Sequence, residues 1–442
     1  MPKFVSGQIE RHQNLANILD NLGWLFFDKV LQMVGGLLIG IWLARYLGPE
    51  QFGQLNYVIA FFGLFAAFAT LGTNGIVVRD IVRDPDGTGA TLGSAFILLL
   101  LGGLVGFILI VSSIAWLRPD DNLTRNMVAI LGASLVFKSS LVFKYWFESQ
   151  LMSRYTVWVG SGVFLVISLI KVIMILNAAP LIAFVWVALV EAVLVAIGLF
   201  GIYIRKSGAI QNWSVQLDRS ISLLKDSLPL MFMTVLLGIY TKIDMLMIEH
   251  FLGWNATGIY AAALKIAEAW FFLAVILVQS LYPSLIKAES FDEEIFKKRL
   301  LYFYSFMFWF SFIVSFFLYL FADSLILLLF GVKYIEAVLV FQLYVWSGIF
   351  VFVITSSSRW FLIKNRSNSL LARSLLGAVM NVMLNYWLIQ AYGLIGAALS
   401  TLITYFVVAY IYDVFDKSAR GQLLVKLAAI VFPFKLLWVR NV

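Results

Sequence analysis

The chain has 442 residues, of which 62% are apolar and 13% are charged, and its mean hydropathy is +0.94. Soluble domains carry about 25% charged residues, so this composition excludes a soluble globular protein and predicts an integral membrane protein. The net charge of +8 comes from Lys and Arg scattered over loops, which argues against a nucleic-acid partner. Cysteine is absent, which excludes disulfides and thiol chemistry.

About twelve apolar runs are long enough to cross a bilayer as helices, which takes roughly 20 residues each. The predicted fold is therefore an all-α polytopic membrane protein. No connecting segment is long enough for a sizeable soluble domain. The predicted spans lie at approximately 22–44, 55–72, 93–117, 126–147, 156–176, 181–204, 228–250, 258–283, 302–322, 337–358, 374–391 and 394–412.

These spans predict a chain of two halves. We expect no signal peptide at the N-terminus. The apolar stretch at 423–439 is expected to form an interfacial helix, with a thirteenth span as the alternative. The predicted regions are a cytoplasmic segment 1–20, an N-lobe 21–205 with spans 1–6, a cytoplasmic linker 206–226, a C-lobe 227–413 with spans 7–12, and a cytoplasmic or interfacial tail 414–442.

The distribution of Lys and Arg predicts the orientation of the spans. One side of the predicted membrane holds 23 of these residues and the other holds four. Cytoplasmic loops carry the excess of positive charge, so both termini and the linker are predicted to be cytoplasmic.

A short motif is repeated along the chain. Leu47-Gly48 is followed by Gly53, and Leu252-Gly253 is followed by Gly258, so that corresponding residues lie 205 positions apart. Trp146-Phe147 and Trp360-Phe361 correspond at an offset of 214. The equal order of these landmarks, with six spans in each half, predicts two lobes related by a pseudo-two-fold axis along the membrane normal. Such duplicated halves favour a transporter with a central cavity.

Five Lys residues fall inside predicted spans. A Lys at the centre of a membrane helix costs about 2.5 to 3.5 kcal/mol on insertion scales, so these side chains are expected to face a wet, cationic cavity or partners. The five candidate substrate-binding residues are Lys29, Lys138, Lys171, Lys242 and Lys265. The candidate ion-coupling carboxylates in the same spans are Asp28, Glu191, Asp244 and Glu268.

Structural roles stay open for several of these residues. Lys29 lies near the start of the first span, where a Lys can reach the interface. Lys171 continues a helical stripe with Ser161 and Ser168, which favours a hydrophilic face. Lys265 and Glu268 are three residues apart, so that a purely structural ion pair is an equal alternative there.

Three motifs, in their order along the chain, resemble a known family of bacterial polysaccharide transporters, which includes the O-antigen flippases. The family belongs to the multidrug, oligosaccharidyl-lipid and polysaccharide exporter superfamily. The motifs are Leu43-Ala44-Arg45-Tyr46-Leu47-Gly48-Pro49-Glu50-Gln51-Phe52-Gly53, Lys242-Ile243-Asp244 with Gly258-Ile259-Tyr260, and Asn381-Val382-Met383-Leu384-Asn385 with Tyr392-Gly393-Leu394-Ile395-Gly396-Ala397-Ala398.

The resemblance implies a MATE-like fold of two six-helix bundles in the bacterial inner membrane. It implies a flippase that moves an undecaprenyl-pyrophosphate-linked oligosaccharide, such as an O-antigen repeat unit of lipopolysaccharide or an exopolysaccharide unit, to the outer leaflet. The expected partners are this lipid-linked oligosaccharide, membrane lipids and a glycan polymerase or other assembly protein. The alternatives are a cation-coupled multidrug exporter of the same fold and a membrane glycan polymerase or ligase.

A transporter of this kind is not an enzyme, and the residues are consistent with that expectation. The two histidines, His12 and His250, stand far apart and outside any metal-ligand spacing, and no phosphate-binding loop motif occurs. We therefore expect no catalytic residues, no metal site and no cofactor.

Overall fold

The computed structural model describes the backbone of residues 3–207 and 210–439, and the side chains of 23–432 apart from 207–209, 211, 283, 290 and 367. The side chains of the predicted segment 1–20, and those of the tail after 432, thus lie outside the described residues. The helices of the first half are α1 (Lys3–Thr70), α2 (Asn74–Arg83), α3 (Thr88–Leu117), α4 (Asn122–Ala133), α5 (Leu141–Ser149), α6 (Ser153–Leu176) and α7 (Leu181–Ser207).

The second half of the chain continues the same helical pattern. Its helices are α8 (Leu217–Ala269), α9 (Phe272–Phe291), α10 (Glu293–Leu320), α11 (Ala322–Phe330), α12 (Ala337–Tyr344), α13 (Ser347–Ile363), α14 (Ser367–Phe406), α15 (Tyr412–Phe415) and α16 (Arg420–Val439). Short 3₁₀ turns occur at Val136–Ser140, Ile210–Asn212 and Val332–Tyr334, and a π turn at Val407–Ile411 joins α14 to α15. Within the described backbone, all regular structure is helical.

The number of membrane-spanning segments follows from these helices and their breaks. Nine helical stretches of the described chain are long and apolar enough to cross a membrane. Three of these stretches, which contain α1, α8 and α14, break at Gly48, Gly253 and Gly393. Each break adds one segment to the nine, which gives twelve. The predicted fold class, an all-α polytopic membrane protein, is confirmed.

The first two breaks have the same backbone geometry. Gly48 has φ 72° and ψ 173°, and Gly253 has φ 83° and ψ −178°. A positive φ with an extended ψ is accessible essentially to glycine alone, so the Leu-Gly pair ends one helix and turns the chain into the next. Pro49 then occupies the first turn of the new helix, where its missing N–H is tolerated.

Contacts divide the chain into two compact units. Unit 1 consists of Met1–Tyr46 and Val58–Val235, and unit 2 consists of Leu47–Tyr57 and Leu236–Val442. The eleven residues that follow the first span therefore pack with the second unit, although they are flanked on both sides by the first. Helix α8 contributes its beginning to unit 1 and the remainder to unit 2.

In unit 1 the segment after α7 is packed against the helix bundle. The indole N–H of Trp213 donates to the hydroxyl of Tyr203 at 2.9 Å. The guanidinium of Arg219, in the first turn of α8, lies 3.2 Å from a carboxylate oxygen of Asp80 and also donates to the hydroxyl of Thr91. These contacts tie the predicted linker to α2 and α3.

In unit 2 the two copies of the repeated motif pack directly on each other. A Cβ atom at Gly53 would overlap the carbonyl oxygen of Trp254, and one at Gly258 would overlap the carbonyl oxygen of Pro49. Trp254 corresponds to Pro49, and Gly258 to Gly53, at the repeat offset of 205. The contact is therefore reciprocal, and it explains why the last position of each motif is a glycine.

Helix α16 is also part of unit 2. The ammonium of Lys426 lies 2.7 Å from the carboxylate of Asp413, with side chains 1% and 0% exposed, and it donates to the carbonyl oxygen of Ala409 at 2.7 Å. Burial lowers the pKa of Lys426 to about 8, although Asp413 acts in the opposite direction. Trp309 of α10 donates to the carbonyl oxygen of Ile430 at 3.2 Å. The first three turns of the tail helix are thus docked on α10 and α15.

Candidate functional site

The first polar cluster of unit 1 joins α6 and α7. The ammonium of Lys171 lies 3.3 Å from the carboxylate of Glu191, and the two side chains are 24% and 34% exposed. The pair is formed because these adjacent helices pack side by side and each carries one charged residue within its apolar span. Each charge is compensated by the other, and both stay accessible at the surface of unit 1.

Lys138 occupies an irregular stretch between α4 and α5. It lies on the 3₁₀ turn Val136–Ser140 and is half-buried. A 3₁₀ turn inside a membrane helix interrupts the regular hydrogen bonds. The hydroxyls of Ser139 and Ser140 donate to the carbonyl oxygens three residues before them and satisfy these groups locally. Among the described residues, no carboxylate lies within 4.0 Å of the Lys138 ammonium.

The turn that carries Lys138 packs against α7, the helix that carries Glu191. Lys138 and Glu191 interact electrostatically at a distance longer than an ion pair. Lys144 also acts electrostatically on Lys138, but it pairs with Glu148, as Lys171 pairs with Glu191. This part of unit 1 therefore contains three ammonium groups and two carboxylates, and Lys138 is the ammonium without an ion-pair partner among the described residues. The local excess of positive charge is the feature that can attract an anion.

Asp28 forms a separate polar contact of unit 1. One of its carboxylate oxygens accepts a hydrogen bond from the hydroxyl of Ser161 at 2.7 Å and another from the amide of Gln32 at 2.8 Å. Ser161 precedes Lys171 by ten residues on α6, which corresponds to about 15 Å along the helix. Asp28 is therefore remote from the Lys171 pair. The neighbouring Lys29 is exposed and makes no ion pair with the described residues.

In unit 2 a carboxylate and an ammonium meet across the break of α8. The ammonium of Lys242 lies 3.6 Å from Glu268, and the hydroxyl of Tyr344 donates to the same carboxylate at 2.9 Å. The sequence places Glu268 three residues from Lys265, and the folded chain also brings it to Lys242, 26 residues away. Lys265 itself is half-buried.

Asp244 lies in a drier setting than the other acidic candidates. Its side chain is 2% exposed, and it accepts hydrogen bonds from the hydroxyl of Tyr260 at 2.5 Å and from the amide of Met245 at 2.9 Å. No cation of the described chain lies within 4.0 Å of it. Lys242, two residues earlier, points to Glu268 instead, because side chains two residues apart on a helix diverge.

Several polar residues of unit 2 were not singled out as site candidates. Tyr260 and Tyr344 are buried hydroxyl donors to Asp244 and Glu268. Asn385 donates to Asn381 at 2.9 Å, and both are fully buried. The spacing of the two amides was visible in the sequence, but the tyrosines lie on other helices and only the folded chain brings them to the carboxylates.

The family follows from a match to most of the chain. Residues 18–289 match the model of the polysaccharide biosynthesis protein family. The chain belongs to that family. The match includes the first repeat and the beginning of the second, and thus Lys138, Lys171, Lys242 and their acidic neighbours. A search of curated proteins finds no significant match.

Solved structures of similar fold are transporters and flippases. An inward-facing multidrug resistance MATE transporter of the MOP superfamily is 16% identical, with a TM-score of 0.71, and the match covers 90% of this chain and 95% of that one. The lipid II flippase MurJ is 15% identical, with a TM-score of 0.73, covering 95% and 93%.

A MOP superfamily transporter from Pyrococcus furiosus, described as having a binding pocket of reverse polarity, is 17% identical, with a TM-score of 0.66, and the match covers 93% and 96%. At these identities the likeness establishes the fold. The chain is thus a multi-pass membrane protein of the polysaccharide biosynthesis family.

Proposed function

We propose that the protein is a flippase that carries an undecaprenyl-pyrophosphate-linked oligosaccharide, an O-antigen or exopolysaccharide repeat unit, across the bacterial inner membrane by alternating access. The observation that best supports this proposal is the environment of the Lys138 ammonium. This ammonium lies in the middle of a membrane-spanning segment with no carboxylate of the described chain within ion-pair distance. Both termini would be cytoplasmic, as the loop charges predict.

The chemistry of the substrate fits an uncompensated cation of this kind. Its pyrophosphate is an anion that needs charge-assisted hydrogen bonds once it leaves water, and ammonium groups supply them. Its apolar tail can remain in lipid throughout. A membrane-embedded Lys costs about 2.5 to 3.5 kcal/mol, and an arriving anion would offset part of this cost. We assign Lys138 as the primary contact and Lys171 as its neighbour, with Lys29, Lys242 and Lys265 as further contacts along the path.

The acidic partners suggest how transport couples to an ion. When a proton or another cation neutralises Glu191, Lys171 loses its partner and becomes free to bind phosphate. Glu268 stands in the same relation to Lys242 in unit 2. Binding of the cation and of the anionic substrate would then favour each other. The cation neutralises the carboxylate, and the substrate's phosphate neutralises the lysine that the carboxylate no longer pairs with. Asp28 and Asp244, which are held by hydroxyl donors, are the other coupling candidates.

A specific observation favours one alternative function. Asp244 is a buried carboxylate without a cation within ion-pair distance among the described residues, which is also what a carrier of organic cations needs. Under that alternative the protein exports cationic drugs, and Asp244 rather than Lys138 controls transport. A glycan polymerase or ligase, the other alternative, would change the length or attachment of the glycan rather than its side of the membrane.

The decisive experiment compares Lys138→Ala with Lys144→Ala in cells that lack the chromosomal copy. Lys144 is the matched control, because it is a lysine of the neighbouring helix that pairs with Glu148 at 3.8 Å. We expect Lys138→Ala to abolish surface glycan while lipid-linked precursor accumulates inside, and Lys144→Ala and Lys138→Arg to export normally. Normal export by Lys138→Ala at equal protein abundance would refute the proposal. Intact glycan with altered drug resistance in Asp244→Asn would establish the exporter.

A further inference from the structure

Two cations converge on one tyrosine where the first turn of α6 lies beside the last turn of α7. The guanidinium carbon of Arg154 lies 4.8 Å from the centre of the Tyr155 ring, and the ammonium of Lys206 lies 4.7 Å from it. Arg154 also donates to the Tyr155 hydroxyl at 3.0 Å. The two charges are thus at most about 9.5 Å apart, the sum of the two distances.

The shared tyrosine is neutral and cannot compensate either charge. No carboxylate of the described chain lies within 4.0 Å of Arg154 or Lys206. Like charges at this separation repel each other, and a site that holds them together on one phenol favours an anion that bridges them. A phosphate group can do so by giving one oxygen to each cation, at about 2.8 Å per charge-assisted bond.

The position of the pair indicates where the phosphate comes from. Arg154 lies in the first turn of α6 and Lys206 in the last turn of α7, so both stand at the ends of strongly apolar spans. Phospholipid headgroups lie at this depth of a membrane. The N-terminus of α6 adds a partial positive charge that also favours an anion.

The surrounding aromatic residues belong to a lipid interface. Trp158, one turn further along α6, is 55% exposed and packs edge-on against Tyr155 at 5.9 Å. Trp24 packs edge-on against Trp158 at 6.1 Å. Tryptophan and tyrosine concentrate where membrane meets water, since one end of each ring is apolar and the other is polar. A soluble phosphate would gain nothing from this exposed indole, whereas a lipid buries it.

We propose that Arg154, Tyr155 and Lys206 form a binding site for the phosphate of an anionic phospholipid, with Trp158 against the glycerol and upper acyl region. The lipid would occupy the leaflet that the loop charges assign to the cytoplasm, where anionic lipids attract basic residues. Unit 2 carries Asn368 and Ser369 at the positions corresponding to Arg154 and Tyr155 at the offset of 214, so the site belongs to unit 1 alone. The site does not depend on which substrate the protein carries.

Native mass spectrometry of the full-length protein in detergent, titrated with phosphatidylglycerol or phosphatidylcholine, tests this site. We expect wild type to bind phosphatidylglycerol more tightly than phosphatidylcholine, and Lys206→Ala and Arg154→Ala each to weaken phosphatidylglycerol binding about fivefold. Arg205→Ala is the matched control, because it removes an exposed cation from the same turn of α7 without touching the contacts on Tyr155. We expect it to bind like wild type.

Three outcomes would overturn the site. Equal losses in Arg205→Ala and Lys206→Ala would mean that general surface charge attracts the lipid. Equal affinity for phosphatidylcholine in wild type would remove the requirement for an anionic headgroup. Displacement of the bound lipid by millimolar inorganic phosphate would show that the cations take a soluble anion. Folding of each variant is checked by its elution profile, and Arg154→Lys and Lys206→Arg should retain the lipid if charge at these positions is what matters.

Discussion

Corresponding positions of the two repeats carry polar side chains in opposite settings. In unit 1, Lys171 pairs with Glu191 and both are accessible, at 24% and 34% of the side chain. In unit 2 the corresponding Asn385 is fully buried against Asn381. Two neutral amides can satisfy part of each other's hydrogen bonding in a dry interface, whereas an ion pair there loses its hydration. The same position of the repeated fold thus accommodates a partly exposed ion pair in unit 1 and a buried amide pair in unit 2.

The largest expected effect comes from the buried ion pair of unit 2. Lys426→Met leaves Asp413 as an unpaired buried charge and should destabilise the protein by about 3 to 5 kcal/mol. Lys171→Met leaves Glu191, whose side chain is 34% exposed, in the wet cavity that we propose, and should cost about 0 to 1 kcal/mol. Unfolding of the purified variants in detergent, by heat or denaturant, measures both.

A double variant sharpens this comparison. Burial lowers the pKa of Lys426, so the pair does not fully recover the hydration that its charges lose. We therefore expect Asp413→Asn with Lys426→Met to be more stable than Lys426→Met alone but less stable than wild type, because the buried Arg373 also loses a neighbouring carboxylate. Equal destabilisation by Lys171→Met and Lys426→Met would contradict the distinction between the partly exposed and the fully buried pair.

The reciprocal glycine contact comes next in size. Gly53→Ala and Gly258→Ala each place a methyl group against a backbone carbonyl and should destabilise by about 1 to 3 kcal/mol, by similar amounts since the contact is symmetric. Gly162→Ala on α6 is the control, because its Cβ would meet nothing within 4 Å and alanine favours a helix. The unfolding temperatures of the three variants test this expectation. A lower unfolding temperature for Gly162→Ala than for the other two would contradict the contact.

Two tyrosines of unit 2 donate hydrogen bonds to carboxylates that differ in exposure. Tyr260→Phe removes a hydrogen bond from Asp244, which is almost fully buried, and should cost about 1 to 3 kcal/mol. Tyr344→Phe affects Glu268, which keeps Lys242 and is about a third exposed, so we expect about 0.5 to 1.5 kcal/mol. The order of the two unfolding temperatures checks this, and the reverse order would place Asp244 in a wetter environment than Glu268.

The smallest effect on stability is expected from making the two repeats alike. Lys171→Asn gives unit 1 the residue that unit 2 has at Asn385 and should change stability by about 0 to 1 kcal/mol. We expect surface glycan to fall strongly, because the anion loses one of its two neighbouring ammonium groups. Quantifying surface glycan beside protein abundance separates these effects, and full export would remove Lys171 from the substrate path.

The charged residues of the site show which side-chain pairs helical spacing could predict and which it could not. The spacing of Lys265 and Glu268 predicted a pair within one helix turn, and it gave no sign of Lys242 and Tyr344, which contact Glu268 from 26 and 76 residues away. Helical spacing reports which side chains share a face, and it contains no information on which other helix covers that face. The pairing of Lys171 with Glu191 was hidden for the same reason.

The sequence alone indicated the membrane location, the helical class, about twelve apolar segments and the repeated Leu-Gly motif between apolar segments. Those features follow from local physics, since segment length, hydropathy and the conformational freedom of glycine need no distant partner. The packing of the helices places Leu47–Tyr57 in unit 2, buries Lys426 against Asp413, and leaves Lys138 without a carboxylate of the described chain within 4.0 Å. These outcomes depend on which segments meet when the helices pack, and that is set by the shapes of whole surfaces rather than by any short stretch of sequence.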